Sequence, residues 1–257
     1  MKAQSKVRKF IFQLSALMFV PRCAACLSVL PSRREVLCQK CRERYELESK
    51  YLCTRCSRAH RYCTCRVEYE GRKFPLVHLT AYDIKRESVS KSVILNLKDT
   101  RFDEAFKFWA QEMAKVLNER YFRLFEKRNV IITYVPRSNK AKRKAGHDQS
   151  CEIAKNLSNI TGAPMIDVFK NESEAAQKSL SKDSRKENAS KNYKLLDPHV
   201  RLDGRVVIII DDIVTTGASI GACALLAKNA HAKAVFAVVC ARAENPKGLS
   251  ENSYYII

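Results

Sequence analysis

The chain has 257 residues, 46% of them apolar, which is enough to bury the core of one large domain or two smaller ones. Its 47 Lys and Arg against 27 Asp and Glu leave a formal net charge of +20, which favours anionic partners: nucleic acid, phosphorylated metabolites or an acidic membrane surface. Charge alone does not choose among them, and a solvated basic surface accounts for it equally well; the composition is otherwise that of an ordinary soluble globular chain.

The first apolar run, Phe10 to Val20, follows basic residues and precedes Ala24-Ala25, so it superficially resembles a secretory signal. Gln13 and Ser15 interrupt it, and it is shorter than the roughly 20 residues a span needs. It reads as an amphipathic helix that packs on whatever follows Pro21.

Eight of the eleven cysteines lie between Cys23 and Cys65. They fall as CxxC at Cys23/Cys26, Cys38/Cys41 and Cys53/Cys56, then as Cys-Thr-Cys at Cys63/Cys65. A CxxC knuckle turns tightly enough to aim two sulfurs at one soft, tetrahedral Zn²⁺. Cys23, Cys26, Cys38 and Cys41 therefore read as one structural zinc site, and Cys53, Cys56, Cys63 and Cys65 as a second, with His60 as a substitute ligand because the closing Cys-Thr-Cys is unusual. Four protein ligands leave no open position for catalysis. A disulfide framework is the competing reading; it needs an oxidising compartment, and no convincing export signal is present. The basic residues Arg33, Arg34, Arg55, Arg58 and Arg61 can meet phosphates or simply stay solvated. Cys151, Cys223 and Cys240 are scattered singly through apolar patterns and read as small core residues. Two regimes of cysteine use imply two domains, residues 1–68 and 69–257.

After Tyr69 strands and helices alternate. Leu76 to Tyr82 reads as a strand. Phe102, Phe106, Trp109, Met113, Val116 and Leu117 recur at helical spacing and read as a core face rather than a stacking platform for bases. Then come a strand at Val130 to Val135, a helix from Asp148 to Ile160, a short strand at Met165 to Phe169, a polar segment from Lys170 to Asp203, a strand from Val206, a helix from Ser219 to Ala230 and a strand beginning at Ala234. This alternation predicts an α/β fold with a parallel sheet.

The stretch RVVIIIDDIVTTGASI from Arg205 is the most informative. A buried strand does not absorb two ionised acids without partners, so the strand is expected to end at Asp211 and Asp212. In parallel sheets ligands collect at such strand ends. The amides and hydroxyls of Thr215, Thr216, Gly217, Ala218 and Ser219 open a helix and can surround a phosphate, with Gly217 supplying positive φ and close backbone approach. Asp211 and Asp212 can accept from the vicinal hydroxyls of a ribose. An ATPase reading of the same strand needs a Walker A loop with Gly-Lys, and no glycine here is followed by lysine. An aspartate-capped turn explains Thr215 or Ser219 but not both acids.

IIIDDIVTTGAS closely resembles the phosphoribosyl pyrophosphate (PRPP) signature of type I phosphoribosyltransferases, and with the cysteine knuckles the chain is similar to the ComF family, of the ComFC competence type. Val135 to Ser150 is similar to a family segment through Pro136, Ser138, Lys140, Arg143, Gly146 and Gln149, with His147 and Asp148 standing where the family has phenylalanine and asparagine. Ala176 to Tyr193 is similar through Gln177, Leu180, Ser181, Arg185 and Asn188. The resemblance implies a type I phosphoribosyltransferase-like, five-stranded parallel core with an N-terminal zinc ribbon and a mobile hood. It also implies PRPP and Mg²⁺ as ligands, with Arg137, Ser138, Lys140 and Arg143 near the pyrophosphate and Gln177, Ser181 and Arg185 on the hood. Further implications are a role in natural transformation, with single-stranded DNA and other competence or DNA-transport proteins at the inner membrane as partners, and a cytoplasmic or membrane-associated location. The alternative within the same fold is an active enzyme moving ribose 5-phosphate from PRPP to a nitrogenous acceptor. No residue advertises itself as the catalytic base.

Overall fold

Five consecutive β-branched residues, Val206 to Ile210, favour an extended chain that is apolar on both faces, and all five are buried. They form the middle of a sheet. The structure is a computed structural model in which residues 20–83, 85–97, 103–126, 129–173 and 191–243 are described. The expected helix at Phe10 to Val20, and the hood residues Gln177, Ser181 and Arg185, lie outside them, Val20 apart.

The elements in chain order are α1 (Gln39–Glu48), β1 (Arg66–Tyr69), β2 (Arg72–Tyr82), α2 (Val89–Asn96), α3 (Asp103–Glu126) and β3 (Val130–Tyr134), followed by α4 (Asn139–Ala145), α5 (Gln149–Thr161), β4 (Phe169–Asn171), β5 (Tyr193–Leu195), β6 (Val206–Val214), α6 (Ala218–Asn229) and β7 (Ala234–Ala243). The main sheet has the order β1-β2-β7-β6-β3. β2, β7, β6 and β3 run parallel, as expected for an α/β fold. β1 does not: it pairs antiparallel with β2 through a two-residue turn at Glu70 and Gly71, whose φ of 47° and 71° match the twist of a tight hairpin. The sheet is thus mostly rather than wholly parallel. The expected strand from Met165 to Phe169 also resolves differently. Met165 makes one parallel bridge to Ile132, while Phe169 opens a separate antiparallel hairpin with β5.

Alternate residues of the sheet feed two cores. Val130, Ile132, Val206, Ile208 and Ile210 face one that includes Trp109, Met113 and Leu117 of α3 and Ile153 and Leu157 of α5. Phe106, Trp109, Met113, Val116 and Leu117 of the expected stripe are therefore buried structure, while Phe102 lies outside the described residues. Ile131, Val207 and Ile209 face the other, against Ile220, Cys223, Ala224 and Ala227 of α6. Cys223 and Cys240 are fully buried and Cys151 packs at the edge of the first core, which fits their reading as small apolar residues. That first core also contains Cys23, Leu30, Leu37 and Tyr45, so the cysteine-rich segment and the sheet share apolar contacts.

Candidate functional site: a carboxylate cluster and a glycine-capped helix

β6 does not stop at the acids. It continues to Val214, with Asp211, Ile213 and Val214 still in register with β7. The strand on its other side stops first: the last β3 rung joins Tyr134 to Ile210, one more hydrogen bond links Val135 N to Ile210 O at 3.0 Å, and Pro136 then carries the chain away. One edge of β6 is left open at the two acids, which are only partly buried. The sheet does open at the acids, but the strand that ends there is β3 and not β6, as a single sequence does not show where a neighbouring strand ends.

Around this opening the side chains converge. Asp211 Oδ1 accepts from Ser150 Oγ at 2.9 Å and from the Asp212 amide at 3.0 Å. Asp212 Oδ1 accepts from the Ile213 amide at 2.6 Å. Burial, then the charge of Asp212, holds the Asp211 carboxyl well above the ordinary carboxylate range. Burial raises Asp212 too, with the Arg137 guanidinium working against it. A third acid, Asp148, adds negative charge felt by both. It is buried, Oδ2 accepts from the Arg137 amide at 2.9 Å and lies 3.4 Å from Lys142 Nζ, and Oδ1 has no partner. Asp148 and Ser150 were not among the residues assigned a site role from sequence. The signal was partly available, since an acid that closes the basic stretch 137–144 and directly precedes an apolar-periodic helix is placed to face that stretch; its carboxylate makes no capping bond and meets the Arg137 amide and Lys142 instead.

The other expected site residues take distinct positions. Arg137 and Ser138 lie between β3 and α4, and Ser138 is buried with its hydroxyl accepting from the Ala141 amide at 3.3 Å as the α4 cap. Lys140 and Arg143 are exposed on α4, and Gly146 ends that helix at φ 76°. His147 turns to backbone carbonyls, at 2.7 Å from Leu97 O and 3.0 Å from Ala145 O, and packs edge-on against Phe106. Gln149 is buried with Oε1 unpartnered. Asn171 Nδ2 donates to Pro136 O at 3.1 Å and so ties the β4–β5 hairpin to the same loop.

Beyond β6, Thr215 is exposed and Thr216 Oγ1 accepts from the Ala218 amide at 3.3 Å. Gly217 is the left-handed N-cap of α6, with φ 84°. A Cβ there would lie 2.8 Å from Val67 Cγ1, so the close approach it permits in this structure is to β1. Ala218 and Ser219 follow in the first turn, whose amides have no acceptor within the helix and point a partial positive charge outward. The arrangement offers three carboxylates on one side and amide and hydroxyl donors on the other. It can hold a polyol phosphate with a divalent cation.

In the cysteine-rich segment, the Sγ atoms of Cys23, Cys26, Cys38 and Cys41 all lie within 4.8 Å of one another. All eleven cysteines are free thiols. Cys26 and Cys38 are 3.7 Å apart, close to the ~3.8 Å edge of a tetrahedron with Zn–S bonds of about 2.3 Å, so this quartet can hold one structural zinc ion. Cys38 is the N-cap of α1 and Cys41 lies in its first turn, where burial pushes the Cys41 thiol up. In the second group Cys53, Cys63 and Cys65 converge with His78 of β2. His60 is 3.2 Å from the His78 ring at Nδ1 and is not in that group.

No family model matches the sequence, and no curated protein does. Solved structures similar to part of it include a purine phosphoribosyltransferase from Pyrococcus horikoshii Ot3, with 17% identity, 56% of this chain and 91% of that one covered, and a TM-score of 0.32. A hypoxanthine phosphoribosyltransferase from Staphylococcus aureus has 10% identity over 59% of this chain and 85% of its own, with a TM-score of 0.34. A mutant of the Trypanosoma cruzi enzyme of the same name has 14% identity over 56% and 69%, with a TM-score of 0.33. Among the described residues no helix is long and apolar enough to cross a membrane.

Proposed function

We propose that the chain binds PRPP with Mg²⁺ at the β6–α6 junction, residues 69–257 forming the ligand-binding unit and residues 1–68 a metal-held one. The observation that carries this reading is the open edge of β6, where Asp211 and Asp212 stand with raised pKa values beside the amide-rich start of α6. Crowded, partly buried acids favour a cation and helix N-terminal amides favour an anion; a sugar phosphate bound with Mg²⁺ would supply both. In this reading Thr215 to Ser219 take the 5-phosphate, Asp211 and Asp212 accept from the ribose hydroxyls, and Arg137, Ser138, Lys140 and Arg143 lie toward the pyrophosphate. Gln177, Ser181 and Arg185, outside the described residues, are the hood contacts that the family resemblance implies. With Asp211 and Asp212 as the carboxylates nearest to it, a Mg²⁺ ion would supply charge neutralisation for the pyrophosphate leaving group. The chain's own residues orient the sugar and hold the carboxylates where positive charge develops at its anomeric carbon.

Two outcomes follow from the same pocket. In one, PRPP is a substrate and a nitrogenous acceptor attacks C1 as pyrophosphate leaves. In the other, PRPP is a ligand of a protein that handles incoming single-stranded DNA in natural transformation, alongside DNA-transport proteins; the net charge of +20 supports this second reading. Pyrophosphate release from PRPP with a panel of bases tests the first. For the second, DNA affinity should fall about 10³-fold or more between 50 and 200 mM salt. Turnover with one base and no salt-sensitive DNA binding rejects the transformation reading.

A further inference from the structure

The second cysteine group holds more donors than one metal ion uses. Cys53, Cys63, Cys65 and His78 have ligand atoms all within 4.8 Å of one another. Cys56 Sγ is 3.5 Å from Cys63 Sγ but does not belong to that mutually close quartet. We propose that the second metal ion is held by Cys53, Cys63, Cys65 and His78, with Cys56 outside the coordination shell, so that one ligand comes from the central sheet.

Three observations carry this assignment, which rests on the zinc reading of the cysteine-rich segment but not on PRPP binding. The first is the state of His78. It is fully buried; its Nδ1 lies 3.2 Å from Thr80 O and 3.2 Å from His60 Nδ1, while Nε2 is buried with no hydrogen-bond partner. A neutral imidazole that donates Nδ1–H to a backbone carbonyl leaves the Nε2 lone pair for a metal, the usual arrangement behind a histidine ligand. Without a metal, this strand would bury an imidazole nitrogen unsatisfied.

The second observation is the spacing. Cys53 Sγ is 3.7 Å from both Cys63 Sγ and Cys65 Sγ, again the ~3.8 Å tetrahedral edge expected for Zn–S bonds near 2.3 Å. Cys56 Sγ approaches Cys63 Sγ at 3.5 Å but is not within 4.8 Å of every other donor of the quartet.

Charge supplies the third. Three thiolates and one divalent ion leave a charge of −1, whereas four thiolates leave −2. Arg242 of β7 is buried, with 3% of its surface exposed, and its Nε and Nη1 have no hydrogen-bond partner. Its charge is felt by Cys65, Cys53 and Cys63. The exposed Arg55 also interacts with Arg242, so the one buried guanidinium matches the single negative charge of a three-thiolate shell while the second cation stays in solvent. The metal then fastens the cysteine-rich segment to β2, whose neighbour β7 pairs directly with β6.

The test is the metal content of full-length variants, counted per chain after dialysis against a weak chelator, together with the thiolate-to-metal absorption of the Co²⁺-loaded proteins. Wild type should carry two ions, and Cys56→Ser should carry two with an unchanged Co²⁺ spectrum. His78→Gln should carry one, the ion retained at Cys23, Cys26, Cys38 and Cys41 showing that the chain still folds. His78→Cys should regain the second ion with stronger thiolate-to-Co²⁺ absorption. A Cys56→Ser protein with one ion, a His78→Gln protein with two, a His78→Cys protein that stays at one, or a wild type with only one would each overturn the assignment. A wild type with none would instead remove the zinc reading on which it rests.

Discussion

The cysteine-rich segment and the end of β6 solve the same electrostatic problem in opposite ways. Each gathers side chains that become anions, thiols within 4.8 Å in one and the acids Asp211, Asp212 and Asp148 in the other. In the first the thiols are placed so that they can complete a tetrahedral shell, and on the zinc reading the neutralising cation would be part of the fold. At β6 the acids keep partners that are only hydrogen-bond donors, such as Ser150 Oγ and the Ile213 amide, and burial raises their pKa values. On the proposed function their cation would arrive with the ligand. Removing anions should therefore destabilise one region and stabilise the other, at the expense of binding there.

The largest effect belongs to the cysteines. Cys41→Ser should remove one metal ion and most of the soluble yield, because structural zinc binding is worth on the order of 10 kcal/mol and much of that is folding free energy. A soluble Cys41→Ser protein with an unchanged melting curve would break the comparison at this end.

Next is Gly217→Ala. The residue sits at φ 84° and its new Cβ would lie 2.8 Å from Val67 Cγ1, so we expect a loss of about 1–3 kcal/mol in chemical denaturation together with loss of PRPP binding. Adding Val67→Ala should return the part caused by the clash and leave the part caused by positive φ.

The acids should act in the other direction. Asp212→Asn should raise the melting temperature of the ligand-free protein at neutral pH by about 2–4 °C, the shift that ~1 kcal/mol gives a domain of this size. The sign follows from the raised pKa values. A carboxyl that binds its proton more tightly when folded costs no stability below the unfolded value of about 4, and costs progressively more as pH rises toward the folded value. Stability of the ligand-free wild type should thus fall across that window, and the slope should flatten in Asp211→Asn with Asp212→Asn. A double variant that melts lower at neutral pH would contradict burial as the cause.

Smallest is Thr216→Ala. It removes the hydroxyl that accepts from the Ala218 amide at 3.3 Å, and should cost about 1 kcal/mol, read as a small shift in denaturation midpoint.

The sequence made these regions legible to different degrees. The first quartet is complete within Cys23 to Cys41, and its spacing alone names all four ligands. The second includes His78, 13 residues beyond Cys65 and on a strand, where a lone histidine in an apolar run has no local pattern to distinguish it. His60, inside the cysteine run, drew the sequence reading instead and lies behind His78. At β6 the run Val206 to Val214 marked both strand and acids, but the opening depends on where β3 stops, and each β3 residue pairs with one 76 positions later, as Tyr134 does with Ile210. Asp148 shows the same limit: it follows the basic run in sequence, yet its closeness to Asp211 comes from α5 packing beneath β6. The antiparallel β1 was hidden because Arg66 to Tyr69 is only four residues long and adjoins the last cysteine.

Calorimetric titration of PRPP into the metal-loaded protein, with and without Mg²⁺, addresses the central claim most directly. Saturable 1:1 binding that requires Mg²⁺, and that falls at least about 100-fold in Asp211→Asn with Asp212→Asn while zinc content holds, is the predicted result, the loss corresponding to ~2.7 kcal/mol. Undetectable binding to the wild type at millimolar PRPP, or equal binding to the double variant, would contradict it.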